Sequence, residues 1–165
     1  MCSSAQLKER APAGLISELR EVSLRHPYAL SPSLRRQIKV AFEEAAQEVC
    51  SHDREYVNRR LPSTVALLAK NGANWKGDLG RAALALFKVM ESSGPREEVE
   101  PKSADALITA ALFYLCNPFD FIPDFTPGKG YADDVLVMNV CLKTLRHDHK
   151  AIYHLFLRAL DRTSE

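Results

Sequence analysis

The sequence predicts an all-α fold, a compact bundle of about seven helices, and three observations carry that reading. Apolar residues recur every three or four positions along most of the chain, the period of a helix face. No stretch alternates apolar and polar residues as a half-buried strand does. Prolines and Ser/Gly clusters cut the periodic stretches into helix-sized pieces. A chain of 165 residues with 46% hydrophobic and 26% charged residues can bury a core without staples. One compact unit is expected, with residues 1–77 as an N-terminal helical extension and 78–165 as the main helical domain.

Taken in order, Pro12 opens a helix through about Arg25, with Leu15, Ile16, Leu19 and Val22 at helical spacing. His26–Pro27–Tyr28 breaks it. Ser31–Pro32 is a start signal, and a long helix follows to about Arg59, striped by Leu34, Ile38, Phe42 and Val49. Lys39 and Glu43 form an i,i+4 pair on its other side. Leu61–Pro62 ends it, and a short helix runs from about Ser63 to Lys70. The next helix begins at Asp78 and ends near Ser92, before an exposed Ser93–Lys102 connection. Ser103 caps a helix to Cys116 that is apolar nearly all round and therefore buried. A helix over about Tyr131–Arg146 follows, then a last one from Asp148.

The charge balance narrows the function classes. The chain carries a formal +1, so no nucleic-acid partner is expected. Residues 1–70 net +3 and residues 71–165 net −2. Cys2, Cys50, Cys116 and Cys141 form no CxxC pair and read as reduced thiols of a cytoplasmic protein. No secretory signal is expected at the start, and no run approaches the ~18 apolar residues of a spanning helix.

The unusual stretch is Asn117–Asp134, with three prolines, two glycines, four aspartates, three phenylalanines and a tyrosine. An ordinary solvated turn is small and polar. This one is apolar and acidic at once, so it should fold back onto the helices. Pro118, Pro123 and Pro127 prevent a continuous helix, and Gly128 and Gly130 permit positive φ. Phe119, Phe121, Ile122 and Phe125 should pin the loop at ~1.5–3 kcal/mol for each fully buried side chain.

Pro118-x-Asp120-x-Ile122–Pro123–Asp124, followed by Pro127, Gly130 and Asp133–Asp134, resembles the signature of the YkvA-like domain of unknown function. The resemblance spans roughly residues 78–145 and leaves 1–77 uncovered. It implies a small helical hairpin and no established reaction. Gly128–Lys129 stands where that family usually has apolar residues, and the flanking helices are less apolar than in members that look membrane-embedded.

Two roles compete for the aspartates. Asp120 and Asp124 can organise turns while Asp133 caps the next helix and Asp134 pairs with Lys129 or Arg146. Alternatively Asp120, Asp124, Asp133 and Asp134 converge on one Mg²⁺, Mn²⁺ or Ca²⁺ ion. Elsewhere the signals are weaker. His147–Asp148–His149, with His154 and Asp161, suggests a metal but lacks a ligand motif such as HExxH, and the plainer reading is a charged helix junction with Asp148 as N-cap. Cys50 and His52 point about 200° apart on a helix and cannot act together. Arg35, Arg36 and Lys39, like Arg59 and Arg60, read as solvated helix faces, and Trp75 as the anchor of a turn.

No GxSxG, Walker-type loop or other nucleophile motif is present. The expected function is that of a soluble accessory or regulatory protein. It would act through a protein partner, a homodimer or peripheral contact with a membrane surface. The alternative is a divalent-metal hydrolase built on the four aspartates, with a metal-activated water as nucleophile.

Overall fold

The computed structural model describes residues 19–70, 72–92, 103–117 and 121–163. Among them lie six helices and no strand: α1 (Pro32–Glu48), α2 (Ser51–Ala69), α3 (Asn74–Ser92), α4 (Ala104–Cys116), α5 (Ala132–Asp148) and α6 (Lys150–Thr163). The all-α class therefore holds. Among the described residues no helix is long and apolar enough to cross a membrane.

α4 is the hub. Nine of its thirteen residues are buried, and it packs against α1, α2, α3 and α5. Ser103 caps it as its sequence suggests, its Oγ accepting the Ala106 N–H at 3.1 Å. α3 lies between α2 and α6, and α6 closes over α3 and α5. One hydrophobic core runs through all six helices, from Ile38 and Phe42 to Tyr153 and Phe156. The N-terminal helices α1 and α2 thus pack directly on the hairpin formed by α4 and α5.

Two helix boundaries differ from expectation. The long helix stops at Glu48, not near Arg59, because Val49 and Cys50 are extended. Cys50 caps α2: its carbonyl accepts the Asp53 N–H at 3.1 Å, and the Asp53 carboxylate accepts the Cys50 N–H at 2.9 Å. α2 then passes straight through Pro62, where a break was expected. An interior proline costs ~3 kcal/mol. Val57, Leu61 and Leu68 lie on one stripe at 0–1% exposure, and each buried side chain returns ~1.5–3 kcal/mol. The stripe outweighs the proline. The short helix expected from Ser63 is simply the end of α2.

The helix expected over Pro12–Arg25 is not helical where it is described. Its beginning lies outside the described residues, and Leu19–Arg25 carries no regular secondary structure. Side chains of α5 and α6 hold the backbone of this strap. The Tyr153 hydroxyl donates to Arg20 O at 2.7 Å and accepts the Val22 N–H at 3.0 Å. Asn139 accepts the Leu24 N–H at 2.8 Å and donates to Leu24 O at 2.9 Å. Arg146 Nε donates to Leu19 O at 3.0 Å. These bonds satisfy the groups a helix would otherwise pair.

Smaller corrections follow the same logic. α3 begins at Asn74, one turn before Asp78, with the ring of half-buried Trp75 tilted against that of His26, centroids 4.3 Å apart. Asp148 ends α5 and does not cap α6; the carbonyl of His149 accepts the Tyr153 N–H at 2.9 Å. The ion pairs found among the described residues do not include Lys39–Glu43. Arg54 is a buried charge that donates to Met90 O at 2.7 Å, near the carboxyl end of α3, where the helix dipole favours a cation.

Candidate functional site

The loop between α4 and α5 is a run of tight turns. Pro123 O accepts the Thr126 N–H at 2.9 Å, and Thr126 O accepts the Gly130 N–H at 2.9 Å. Gly128 has φ of 73°, as expected for a left-handed turn residue. Gly130 is needed for a different reason: a Cβ there would stand 2.1 Å from the backbone oxygen of Asp124. Tyr131, at φ of 67°, takes the left-handed turn itself and starts α5 with its ring buried. His26 reaches across from the strap, its Nε2 2.8 Å from Gly130 O while Nδ1 accepts the Tyr28 N–H at 2.9 Å. That second bond makes Nε2 the protonated nitrogen and the donor.

The aspartates divide by role. Asp133 is fully buried, but it does not cap its own helix. Its Oδ2 accepts the Ile122 N–H at 3.1 Å and the Tyr114 hydroxyl at 2.9 Å. One carboxylate therefore ties the loop to α4. Asp134 is 2% exposed and lies beside half-buried Asp124. Neither Lys129 nor Arg146 pairs with Asp134: Lys129 Nζ lies 5.0 Å over the Tyr28 ring, and Arg146 serves the strap. Asp120 lies outside the described residues, as do Pro118 and Phe119.

Burial and neighbouring carboxylates shape the electrostatics. Asp124 is pushed up to about 6 chiefly by loss of solvent, with the neighbouring Asp134 side chain opposing and repulsion from Asp133 adding to the rise. The Tyr131 phenol is pushed up to about 12 by burial and by Asp124 and Asp134. Asp124 Oδ1 and Asp133 Oδ1 are buried and meet no hydrogen-bond donor among the described residues. Among the described residues, no group of three or more His, Cys, Asp or Glu side chains is placed to hold a metal ion, at the loop or at His147, His149 and His154.

The aromatics overturn an expectation. Among the described loop residues expected to pin it, only Ile122 packs inward, at 8% exposure. Phe125 is 73% exposed and Phe121 44% exposed, so neither pins the loop. The clamp is polar instead, made by Asp133, Tyr114, His26 and the Gly130 contact. Tyr114 and His26 were not singled out from the sequence. A phenol in an otherwise apolar helix, one turn before the loop, was the available signal for Tyr114, because a buried hydroxyl needs a partner. The described thiols are free, and Cys116 and Cys141 are pushed up to about 11 and about 12 by burial, which makes them inert.

No curated protein and no solved structure matches this chain. Residues 106–139, from the first turn of α4 through the loop to the middle of α5, match the family model described as Protein of unknown function (DUF1232), and that hairpin is similar to this uncharacterised-domain family.

Proposed function

We propose that the protein is a non-enzymatic cytoplasmic binding module, with a hairpin resembling the YkvA-like domain, that docks a protein partner through its α4–α5 loop. One observation carries the reading: a loop clamped from inside presents Phe125 and Phe121 to solvent. Exposed single apolar residues are ordinary. Two phenylalanines in five residues, on a backbone already paid for in conformational entropy, make an efficient contact surface. A photo-crosslinking amino acid at position 125 should give a discrete protein adduct in cells, and the same probe at exposed Val40 should give none. Phe125→Ser should weaken the recovered complex about tenfold or more, ~1.4 kcal/mol, with an unchanged melting temperature. Lipid adducts and flotation with vesicles would replace the partner with a membrane surface. Equal labelling at both positions would remove the reading.

A second reading, a divalent cation held at Asp120, Asp124, Asp133 and Asp134, is favoured by the buried Oδ1 atoms of Asp124 and Asp133, and it needs Asp120, because the described aspartates alone form no metal-holding group. Its test is a pH series. Asp124 titrates near 6 in the folded chain against an ordinary 3.8, so the native state holds this proton more tightly than the unfolded chain. Its contribution is therefore most favourable below about pH 4, and stability falls as pH rises to about 6. Asp124→Asn should remove that fall and stabilise the protein at pH 7.5 by ~1 kcal/mol, a figure reduced for the part exposure of the side chain. A bound cation gives the opposite result at pH 7.5: Mg²⁺, Mn²⁺ or Ca²⁺ raises the melting temperature of the unmodified chain, and the variant loses the effect. Melts unmoved by cation or chelator would exclude the cation and with it the hydrolase.

A further inference from the structure

A second surface lies away from the loop. α1 and α5 pack side by side, and between them runs an open groove of about 1090 Å³. Its floor is apolar and half-buried, made by Leu30, Leu136 and Val140. Its walls carry Arg35, Arg36 and Lys39 from α1, and Lys143, Arg146 and Lys150 from α5 and α6. All six are exposed, against two carboxylates, Glu43 and Asp148. Asp148 is occupied by His147 at 2.6 Å, and none of the ion pairs found among the described residues joins a wall cation to a carboxylate. The whole chain carries only +1, so the rest of the molecule is net acidic and the positive charge is concentrated here.

We propose that this groove binds an acidic amphipathic helix of a partner protein. Charge complementarity identifies the occupant. A helix with an apolar stripe and flanking glutamates would set the stripe on Leu30, Leu136 and Val140, and its carboxylates would face the two basic walls. The dimensions agree: Arg35–Glu43 spans about 12 Å of helix and Leu136–His147 about 16 Å, the length of two to three helical turns. A bilayer is flat and cannot reach a floor recessed between two helices. An extended nucleic acid would have to pass from the groove onto surface that is net acidic. The α4–α5 loop is not involved, so this proposal and the docking role of Phe125 stand or fall separately.

The probe is a fluorescein-labelled 14-residue peptide with leucines on one helical stripe and glutamates beside it. A scrambled peptide of the same composition is the control. Fluorescence anisotropy with the full chain should show saturable micromolar binding of the amphipathic peptide and at least tenfold weaker binding of the scrambled one. Arg36→Glu combined with Lys143→Glu should weaken binding at least tenfold, and raised salt should weaken it in the unmodified chain. Both residues are exposed, so an unchanged melting curve confirms that the variant is folded. Leu136→Glu is the independent arm and should also abolish binding, because it places a carboxylate on the apolar floor. The proposal is overturned if the peptide does not bind, if the scrambled peptide binds equally, or if phosphatidylserine vesicles or single-stranded DNA bind more tightly than the peptide.

Discussion

Replacing Gly130 by alanine is expected to cost the protein ~3–5 kcal/mol and to dislodge the α4–α5 loop. The added Cβ would lie 2.1 Å from Asp124 O, 3.0 Å from its carbonyl carbon and 3.2 Å from Thr126 O. All three obstacles are backbone atoms, so no side-chain rotation relieves the clash. The loop has to move by about an ångström, and its bonds are short enough to break when it does. Gly130 N–H donates to Thr126 O at 2.9 Å, and Gly130 O accepts His26 Nε2–H at 2.8 Å. Gly128 supplies the contrast. Its φ is 73° but a Cβ there meets nothing within 4 Å. Gly128→Ala should therefore cost only the left-handed penalty, ~1–2 kcal/mol. Urea midpoints of the two variants measure the difference. A Gly130→Ala variant within 1 kcal/mol of the unmodified chain would show that the loop does not make this close approach.

Legibility in the sequence followed the physics of each element. α4 was readable end to end because its start rests on a local cap at Ser103 and its burial on an all-round apolar pattern. The break at Val49–Cys50 was not, because the apolar stripe runs on past it and the cap is a carboxylate, Asp53, reaching back to a cysteine backbone. Pro62 misled in the other direction, since the burial of Leu61 and Leu68 is a tertiary fact that local propensity does not contain. The strap was missed for the same reason. Leu19 and Val22 have helical spacing, but the partners of this backbone, Asn139, Arg146 and Tyr153, are more than a hundred residues away. In the loop, the prolines and glycines marked where the chain turns. Composition alone could not say which groups face inward: Phe121 and Phe125 look outward while Asp133 and Asp134 are buried, the reverse of what hydrophobicity implies. The exposed arginines of α1 looked like an ordinary solvated face until α5 brought Lys143 and Arg146 opposite them.

Asp133 decides whether that inverted arrangement is held together by its aspartates. Asp133→Ala should destabilise the protein by ~2–4 kcal/mol, whereas Asp133→Asn should cost less than about 1 kcal/mol. Two effects oppose one another. The alanine leaves the Ile122 N–H and the Tyr114 hydroxyl without their acceptor, and each bond to a charged group is worth ~1.5–3 kcal/mol. It also removes the charge that repels Asp124, a gain of about 1 kcal/mol or less, since repulsion ranks below burial among the causes that raise that group. The lost bonds win. Asparagine separates the two effects because its amide oxygen still accepts both donors while the charge is gone. Denaturant midpoints give the energies, and amide exchange at Ile122 gives the location: fast in the alanine variant, slow in the asparagine variant. The carboxyl of Asp124, followed by NMR, should titrate lower than about 6 in both variants, because both lack the repelling charge. If alanine and asparagine are equally harmful, the charge of Asp133 and not its acceptor geometry holds the loop.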